Sequence, residues 1–353
     1  MRKLDPVPQR AVAEHLGLSQ ATVSMALAGH PRIPAETRDR VLAAADELGY
    51  RPNPALRSLA RYRKSVREPT YHATLAWVHT LNSAEAWKTA VYGDFFKSAE
   101  ARASRLGYKL ENFWIPPGQM SADRATKILT SRGISGLLLV PQSIASREIK
   151  LNWEHFTAVR MLHDTTLGPT MHLVASDHYA SLLHALDHAA LRGYKKPGLI
   201  TSHAFEDRML NSYSSAYLGA SRRRGWPPVF WCDQPDAVAF SEWLRKYKPD
   251  VLLISYATEF YSLVFGWLND LALKMPDDIG VIMLCLPDKS YLPKDFPDIS
   301  GIDEQLPQLA GRSVDFLVQL MENFETGIPD LPMRHLMQGK WHEGTTVRPI
   351  PGS

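Results

Sequence analysis

The sequence predicts a small all-α helix-turn-helix headpiece ahead of an α/β body in two lobes, and three observations carry that expectation. Two short apolar stripes at helical spacing, broken by a glycine, lie near the amino terminus. From Tyr71 onward, short β-rich runs alternate with longer helical ones. Charge is divided unevenly: residues 1–67 hold 12 Lys and Arg against 6 Asp and Glu, net +6, which leaves 28 against 31, net −3, for residues 68–353. A chain of 353 residues exceeds what one core usually fills, so two or three compact units are expected. At 45% hydrophobic and 22% charged residues the composition is that of an ordinary soluble globular protein.

The two stripes fall within Arg10–Gly29. Val12, Ala13 and Leu16 precede Gly17, and Val23, Ala26 and Leu27 follow it, so two short helices can close on each other. Ser19 is placed to cap the second helix, its hydroxyl accepting from a free backbone N–H. That arrangement turns Gln20, Ala21, Ser24 and Met25 outward. Small and amide side chains near a helix N-terminus fit a DNA major groove: Gln20 can bond an adenine edge twice, and Ala21 or Met25 can touch a thymine methyl. Ser19 and Thr22 suit phosphates better than bases. Ala35–Leu48 reads as a third helix, with Val41, Leu42, Ala45 and Leu48 inward and Gly49 as its stop. A small basic head on a mildly acidic body is what a phosphate-binding module joined to an independent domain shows.

These residues carry a resemblance. AVAEHLGLSQATVSMAL followed by TRDRVLAAADELGYRPN is similar to the DNA-binding headpiece of the lactose/galactose-repressor family, with the ATVS tetrad, the TR that opens the third helix and the closing GYRPN all at the family's spacing. The resemblance implies a phosphate contact at Arg32. It also implies a first helix that starts at Pro8 without the family's hydroxyl cap. Many relatives have a basic residue where Met25 stands, so one strong guanine contact is expected to be missing. Residues 51–69 match the family's hinge helix, with Leu59 as a minor-groove wedge beside Asn53, Arg57 and Ala60. Pro52 and Pro54 delay helix formation there, and Ala55–Ala60 is too short to be stable alone in water. A wedge costs a few kcal/mol of base unstacking, offset by the contacts of the bent duplex.

In the body, Ala73–His79, Leu110–Ile115, Gly136–Val140, Thr157–Leu162, His172–Ser176, Pro197–Thr201, Val229–Cys232, Val251–Ser255 and Gly280–Leu284 read as strands. Phe95–Leu106, Ala180–Leu191, Tyr213–Arg224, Phe240–Tyr247 and Phe260–Leu273 read as helices, and a long final helix follows DISGIDEQ. This alternation predicts parallel sheets covered on both faces. Asp177 with HALDHAALRGY, KPDVLLIS, PDDIGVI and DISGIDEQ resemble the family's effector-binding half, which implies a type I periplasmic-binding-protein-like fold. The expected division is a headpiece over 1–50, a hinge and linker over 51–70, and an effector-binding and dimerisation body over 71–353. Within the body, lobe one takes 72–175 and 302–328, and lobe two takes 177–300 and 330–348, with passages near Ser176, Gly301 and Pro329.

Open parallel sheets bind ligands beyond the carboxyl ends of their strands. That rule nominates His79, Asn82, Asp177, Ser202 to Arg208, Ser255, Tyr256 and Cys285 as the lining of an interlobe cleft. Sugar-binding relatives carry Asn-Asp where this chain has Tyr256-Ala257 and a carboxylate pair at Cys285-Leu286, and Arg208 matches the family's effector arginine only with a one-residue slip. A sugar needs paired polar groups to replace its water, and these positions are short of them. Two readings stay open: a more apolar or aromatic effector, or a cleft without one.

Other chemistry has little to stand on. His184 and His188 stand four apart, a metal-capable spacing with no third ligand in view, and read as a solvated face. Arg222–Arg224 reads as a helix end favoured by the dipole. No phosphate loop, nucleophile elbow or His-Glu-x-x-His is present, so no catalytic residue, metal or cofactor is expected. Cys232 and Cys285 lie far apart, which points to a reducing compartment, and without a signal-like or 18-residue apolar run the protein is expected in the cytoplasm. The expectation is a homodimeric transcription regulator, a repressor, on a palindromic double-stranded DNA operator with a small-molecule effector. The alternatives are a ligand-independent DNA-binding protein or a solute-binding receptor.

Overall fold

The computed structural model describes residues 7–27, 32–51, 73–88, 90–140, 149–163, 168–255, 258–286, 292, 294 and 296–352. The hinge residues Asn53, Arg57, Leu59 and Ala60, and also Tyr256, lie outside the described residues.

Three helices form the headpiece: α1 (Gln9–Leu16), α2 (Gln20–Leu27) and α3 (Ala35–Glu47). Their core is Val12, Ala13, Val23, Ala26, Val41, Ala44 and Ala45, ringed by Leu16, Leu18, Leu27, Ile33, Leu48 and Tyr50. Small side chains let short helices approach closely, which is how so few residues enclose a core. Gly17 ends α1 in the left-handed conformation at φ 66°, and Leu18 N–H returns to the Ala13 carbonyl at 2.9 Å. Pro8 precedes α1 with no side-chain cap. One expectation fails: Leu42 is 49% exposed and Ala44 is buried in its place. Val41, Ala44, Ala45 and Leu48 follow the i, i+3, i+4, i+7 stripe, and Leu42 sits one step round the helix from it.

Two compact units divide the chain. One comprises Met1–Arg160, Gly168–His172 and Ala310–Met333, the other Met161–Leu167, Leu173–Leu309 and Arg334–Ser353. In the first, β1 (Ala73–His79) pairs in parallel with β2 (Tyr108–Trp114) and β3 (Gly136–Leu139), and β3 with β4 (Thr157–Met161). Between them run α4 (Ala90–Arg105) and α5 (Ala122–Ser131), whose Ser121 cap accepts from Arg124 N–H at 3.2 Å. Val78, Phe113, Leu129, Leu137 and Leu139 pack in this unit's core.

In the second unit, β5 (His172–Ser176) leads into α6 (His178–Leu191). β6 (Pro197–Thr201), α7 (His203–Arg208), α8 (Ser212–Ser221), β7 (Phe230–Trp231), α9 (Ala237–Tyr247), β8 (Val251–Ile254), α10 (Thr258–Asp270), β9 (Gly280–Met283) and β10 (Gly301–Asp303) follow. After α11 (Leu306–Glu322) come β11 (Arg334–Met337), which pairs in parallel with β5, and β12 (Lys340–His342), antiparallel to β10. The sheet order is β12-β10-β9-β8-β6-β7. Period-two alternation serves both faces: Val251 and Leu253 pack with α6 and α8, while Leu252 and Ile254 pack with α9 and α10.

The passage expected near Gly301 differs. β10 belongs to the second unit's sheet, and the change of unit falls after Leu309, inside α11. Gly301 pairs with Met283, and a Cβ at that position would collide with the Met283 carbonyl. The run Arg222–Arg224 also lies differently: α8 ends at Ser221, Arg222 has left the helix at φ −53°, ψ 121°, and Arg223 is left-handed at φ 69°. A cation beyond the last turn gains little from the dipole.

Candidate functional site

The headpiece presents one outward face from α2. Ser19 caps that helix, its Oγ accepting from Thr22 N–H at 3.0 Å and lying 2.8 Å from Thr22 Oγ1. This cap satisfies a donor at the helix start and fixes how α2 leaves the turn. Gln20, Ala21 and Ser24 are exposed, Thr22 and Met25 half-buried, and Arg32 is exposed in the loop before α3. Burial of Val23 and Ala26 on the opposite side holds this face outward.

The nominated ligand residues fall into separate groups. In the first unit, His79 is fully buried at the end of β1, its Nδ1 accepting from Leu81 N–H at 3.4 Å, and burial drives its pKa down to about 4 against a smaller opposing hydrogen bond with Asn112. Asn82 is exposed nearby. In the second unit, Asp177 uses Oδ1 to cap α6 through Ala180 N–H at 2.9 Å.

Cys285 and Arg208 join a cluster at the carboxyl edge of the second unit's sheet. Its centre is Glu304, buried just past β10, whose Oε1 lies 3.0 Å from His178 Nε2 and accepts from Tyr213 Oη at 3.3 Å, while Oε2 accepts from Cys285 Sγ at 3.2 Å. The single Tyr213 hydroxyl proton is shared with the Leu284 carbonyl at 3.1 Å, and Tyr261 donates to the Cys285 carbonyl at 2.6 Å. The His163 ring stands 5.4 Å from that of His178. Burial by itself raises the Glu304 carboxyl, but His178 and the hydrogen bonds from His178, Cys285 and Tyr213 outweigh it and hold it below its ordinary value. Burial first, and the Glu304 carboxylate second, push the Cys285 thiol and the Tyr213 phenol well up, so both remain protonated donors. Burial, then the charges of His178 and Arg334, lower His163 to about 4.

Glu304 therefore has its oxygens engaged from within. His178 Nδ1, Arg208 Nε, Ser176 Oγ and Ser255 Oγ, by contrast, are buried polar atoms without a hydrogen-bond partner. Such atoms are costly unless something satisfies them. The cluster brings His178, Tyr213 and Glu304, none of them among the nominated residues, together with Cys285. Glu304 is not legible from the sequence because β10 is only three residues long, too short to show alternation. His178 follows the nominated Asp177 directly and could have been found.

His184 and His188 also depart from the solvated face expected of them. Both are half-buried, with Nε2 atoms 3.2 Å apart, and His188 stacks on Trp341 at 4.0 Å, with the buried Arg192 over the same indole and bonded to Glu343. Among the described residues, no group of three His, Cys, Asp or Glu is placed to hold a metal. Cys232 and Cys285 are unpaired. No helix among the described residues is long and apolar enough to cross a membrane.

A capped helix-turn-helix ahead of two sheet-based units defines the chain as a helix-turn-helix protein with an α/β body. Residues 10–53 match the model of the bacterial regulatory proteins, lacI family. Over 55 residues the chain is 60% identical to the HTH-type transcriptional regulator AglR of Rhizobium meliloti, covering 16% of this chain and 15% of AglR. Over 195 residues it is 27% identical to AscG of Escherichia coli, covering 54% of each. These matches span less than two thirds of either relative. The lac repressor dimer bound to operator and the anti-inducer ONPF shares the fold at 17% identity and TM-score 0.53, over 98% of this chain and all of that one. Over residues 10–53 the headpiece is therefore similar to the lacI family of bacterial regulatory proteins.

Proposed function

We propose that the protein is a sequence-specific DNA-binding transcription regulator, a repressor acting as a homodimer on a palindromic operator. One observation carries this reading: Ser19 caps a helix whose exposed face is Gln20, Ala21 and Ser24, within a segment matching the lacI family model. A buried Val23 and Ala26 leave that face free to enter a major groove, where Gln20 reads a base edge and Ala21 and Met25 make apolar contact. Thr22 and Ser19, already paired with each other, and Arg32 contact phosphates. The hinge role of Asn53, Arg57, Leu59 and Ala60 rests on sequence resemblance alone. Selection of bound duplexes from a random pool by the purified protein tests the reading. The expected result is an enriched palindrome whose preference at one position per half-site relaxes in Gln20→Ala; an unenriched pool overturns it.

The unsatisfied polar atoms around Glu304 support a second element, a small-molecule effector bound at the carboxyl edge of the second unit by His178 and Arg208 beside Cys285. A polar effector suits these groups better than an apolar one. Its action on DNA is a population shift, limited by its affinity difference between two arrangements of the protein. A thermal-shift screen of sugars, sugar acids and nucleobases on the parent and on His178→Ala tests this, and a hit unaffected by the substitution argues against the site.

A further inference from the structure

The edge of the second unit's sheet opposite the Glu304 cluster has a different character. The unit as a whole is acidic, with 16 Lys and Arg against 19 Asp and Glu, net −3. Yet the loops entering its strands are basic. Lys195 and Lys196 precede β6, Arg222, Arg223 and Arg224 precede β7, and Lys248 precedes β8; all six are exposed. Lys274 before β9 is exposed as well, and Arg348 lies alongside, its N–H donating to Tyr194 Oη at 3.0 Å.

Hydrogen bonds join these loops into one surface. The Asp250 carboxylate accepts from the backbone N–H groups of Lys195 and Lys196 at 2.7 and 2.8 Å, and Trp226 Nε1 donates to the Lys195 carbonyl at 3.0 Å. Asp278 likewise accepts from Lys274 N–H at 2.9 Å. Asp250 and Asp278 are therefore spent on main-chain amides, which leaves Asp277 as the exposed carboxylate of the loop before β9. Among the described residues none of its eight cations has a carboxylate partner, whereas Arg10, Lys88, Lys97, Arg102 and Lys109 elsewhere each have one.

We propose that this amino-terminal sheet edge is a second, sequence-independent DNA-binding surface that grips the phosphate backbone of duplex DNA. Unpaired exposed cations on an otherwise acidic unit concentrate a positive field where counter-ion release drives polyanion binding. From β7 to β9 the strands span about 15 Å, close to the ~12 Å width of a major groove bounded by phosphate rows. A protein partner would call for an apolar interface core, but the aromatic side chains here are already occupied. Tyr194 is buried, and Trp226 is half-buried beneath the Arg224 guanidinium, 5.1 Å from the ring centroid. What the edge offers is charge without a shape that reads bases, which is the chemistry of backbone contact.

The test uses the full chain and a fluorescent duplex of random sequence about two helical turns long, titrated by anisotropy at several salt concentrations. Three variants are compared: Gln20→Glu with Ala21→Glu in the headpiece; Lys195→Glu, Lys196→Glu, Arg223→Glu and Arg224→Glu at the edge; and both sets together. The headpiece variant is expected to keep duplex binding. The edge variant should lose about 3 to 4 from the magnitude of the parent's log-log salt slope, near 0.9 for each phosphate contact removed. The combined variant should bind no duplex. Loss of all binding in the headpiece variant, or a parental slope in the edge variant, overturns the proposal. So does tighter binding of labelled polyglutamate than of duplex by the headpiece variant, which would mark a surface for acidic proteins. If charge reversal unfolds the unit, the same four positions as Gln must still flatten the slope.

Discussion

The headpiece and the Glu304 cluster are built on opposite plans. In the headpiece, residues adjacent in sequence make both the core and the outward face, and apart from the Ser19 cap the face consists of side chains left over once Val23 and Ala26 are buried. In the second unit, side chains from the ends of separated strands converge: His178 after β5, Tyr213 from α8, Cys285 after β9 and Glu304 after β10. The first plan makes a surface tolerant of change and a core that is not. The second makes every member depend on one carboxylate.

The largest effect expected is Val23→Asp, which places an unpaired charge in a core of seven small residues. Headpiece folding should be lost and affinity for the selected palindrome should fall more than 100-fold, while the unfolding transition of the body, followed by calorimetry, stays in place. A coincident shift of both transitions would show that the two regions are not independent. Next is Glu304→Ala, which strands His178, Tyr213 and Cys285 together and should cost about 3–5 kcal/mol in urea unfolding of the body. Glu304→Gln, which keeps an acceptor, should cost less.

Acid provides a third contrast. His79 and His163 are held to about 4 by burial, below the ordinary 6.5, so below pH 6.5 the unfolded chain takes up protons that the folded chain refuses. Stability of the body is therefore intact above pH 6.5 and falls between pH 6.5 and 4, by about 2–3 kcal/mol per histidine at the lower end. His163→Gln should flatten the pH dependence across that window, and an unchanged profile would show that this ring is accessible to protons. The smallest effect is Ser19→Ala, about 1 kcal/mol from the lost cap, read as a lower headpiece melting temperature by circular dichroism.

The sequence showed most clearly what local periodicity encodes. Ala73–His79, His172–Ser176 and Pro197–Thr201 are strands at the expected bounds, because apolar runs closed by turn residues have few alternatives in so regular a βα alternation. The Ser19 cap and the Gly17 stop were equally legible, since each depends on one side chain's chemistry. By contrast β10, β11 and β12 hold three or four residues each and show no period of their own. Their identity comes from the neighbours they pair with. α7, six residues beginning at Ser202's cap, was hidden in the same way, and with it the burial of Glu206, which accepts from Ser214 Oγ at 2.7 Å. The Glu304 cluster was opaque because His178, Tyr213 and Glu304 are far apart along the chain and meet only once the sheet is assembled.

Gly301 carries a consequence for how such a protein can diversify. Because no side chain fits between it and the Met283 carbonyl, β10 has one permitted depth against β9, and Glu304 three residues later inherits that placement. Selection of a randomised library for a folded body can therefore exchange the groups around the carboxylate far more freely than it can shift the carboxylate itself. Variants recovered from such an experiment should cluster at positions such as 178, 208 and 285 and leave 301 untouched.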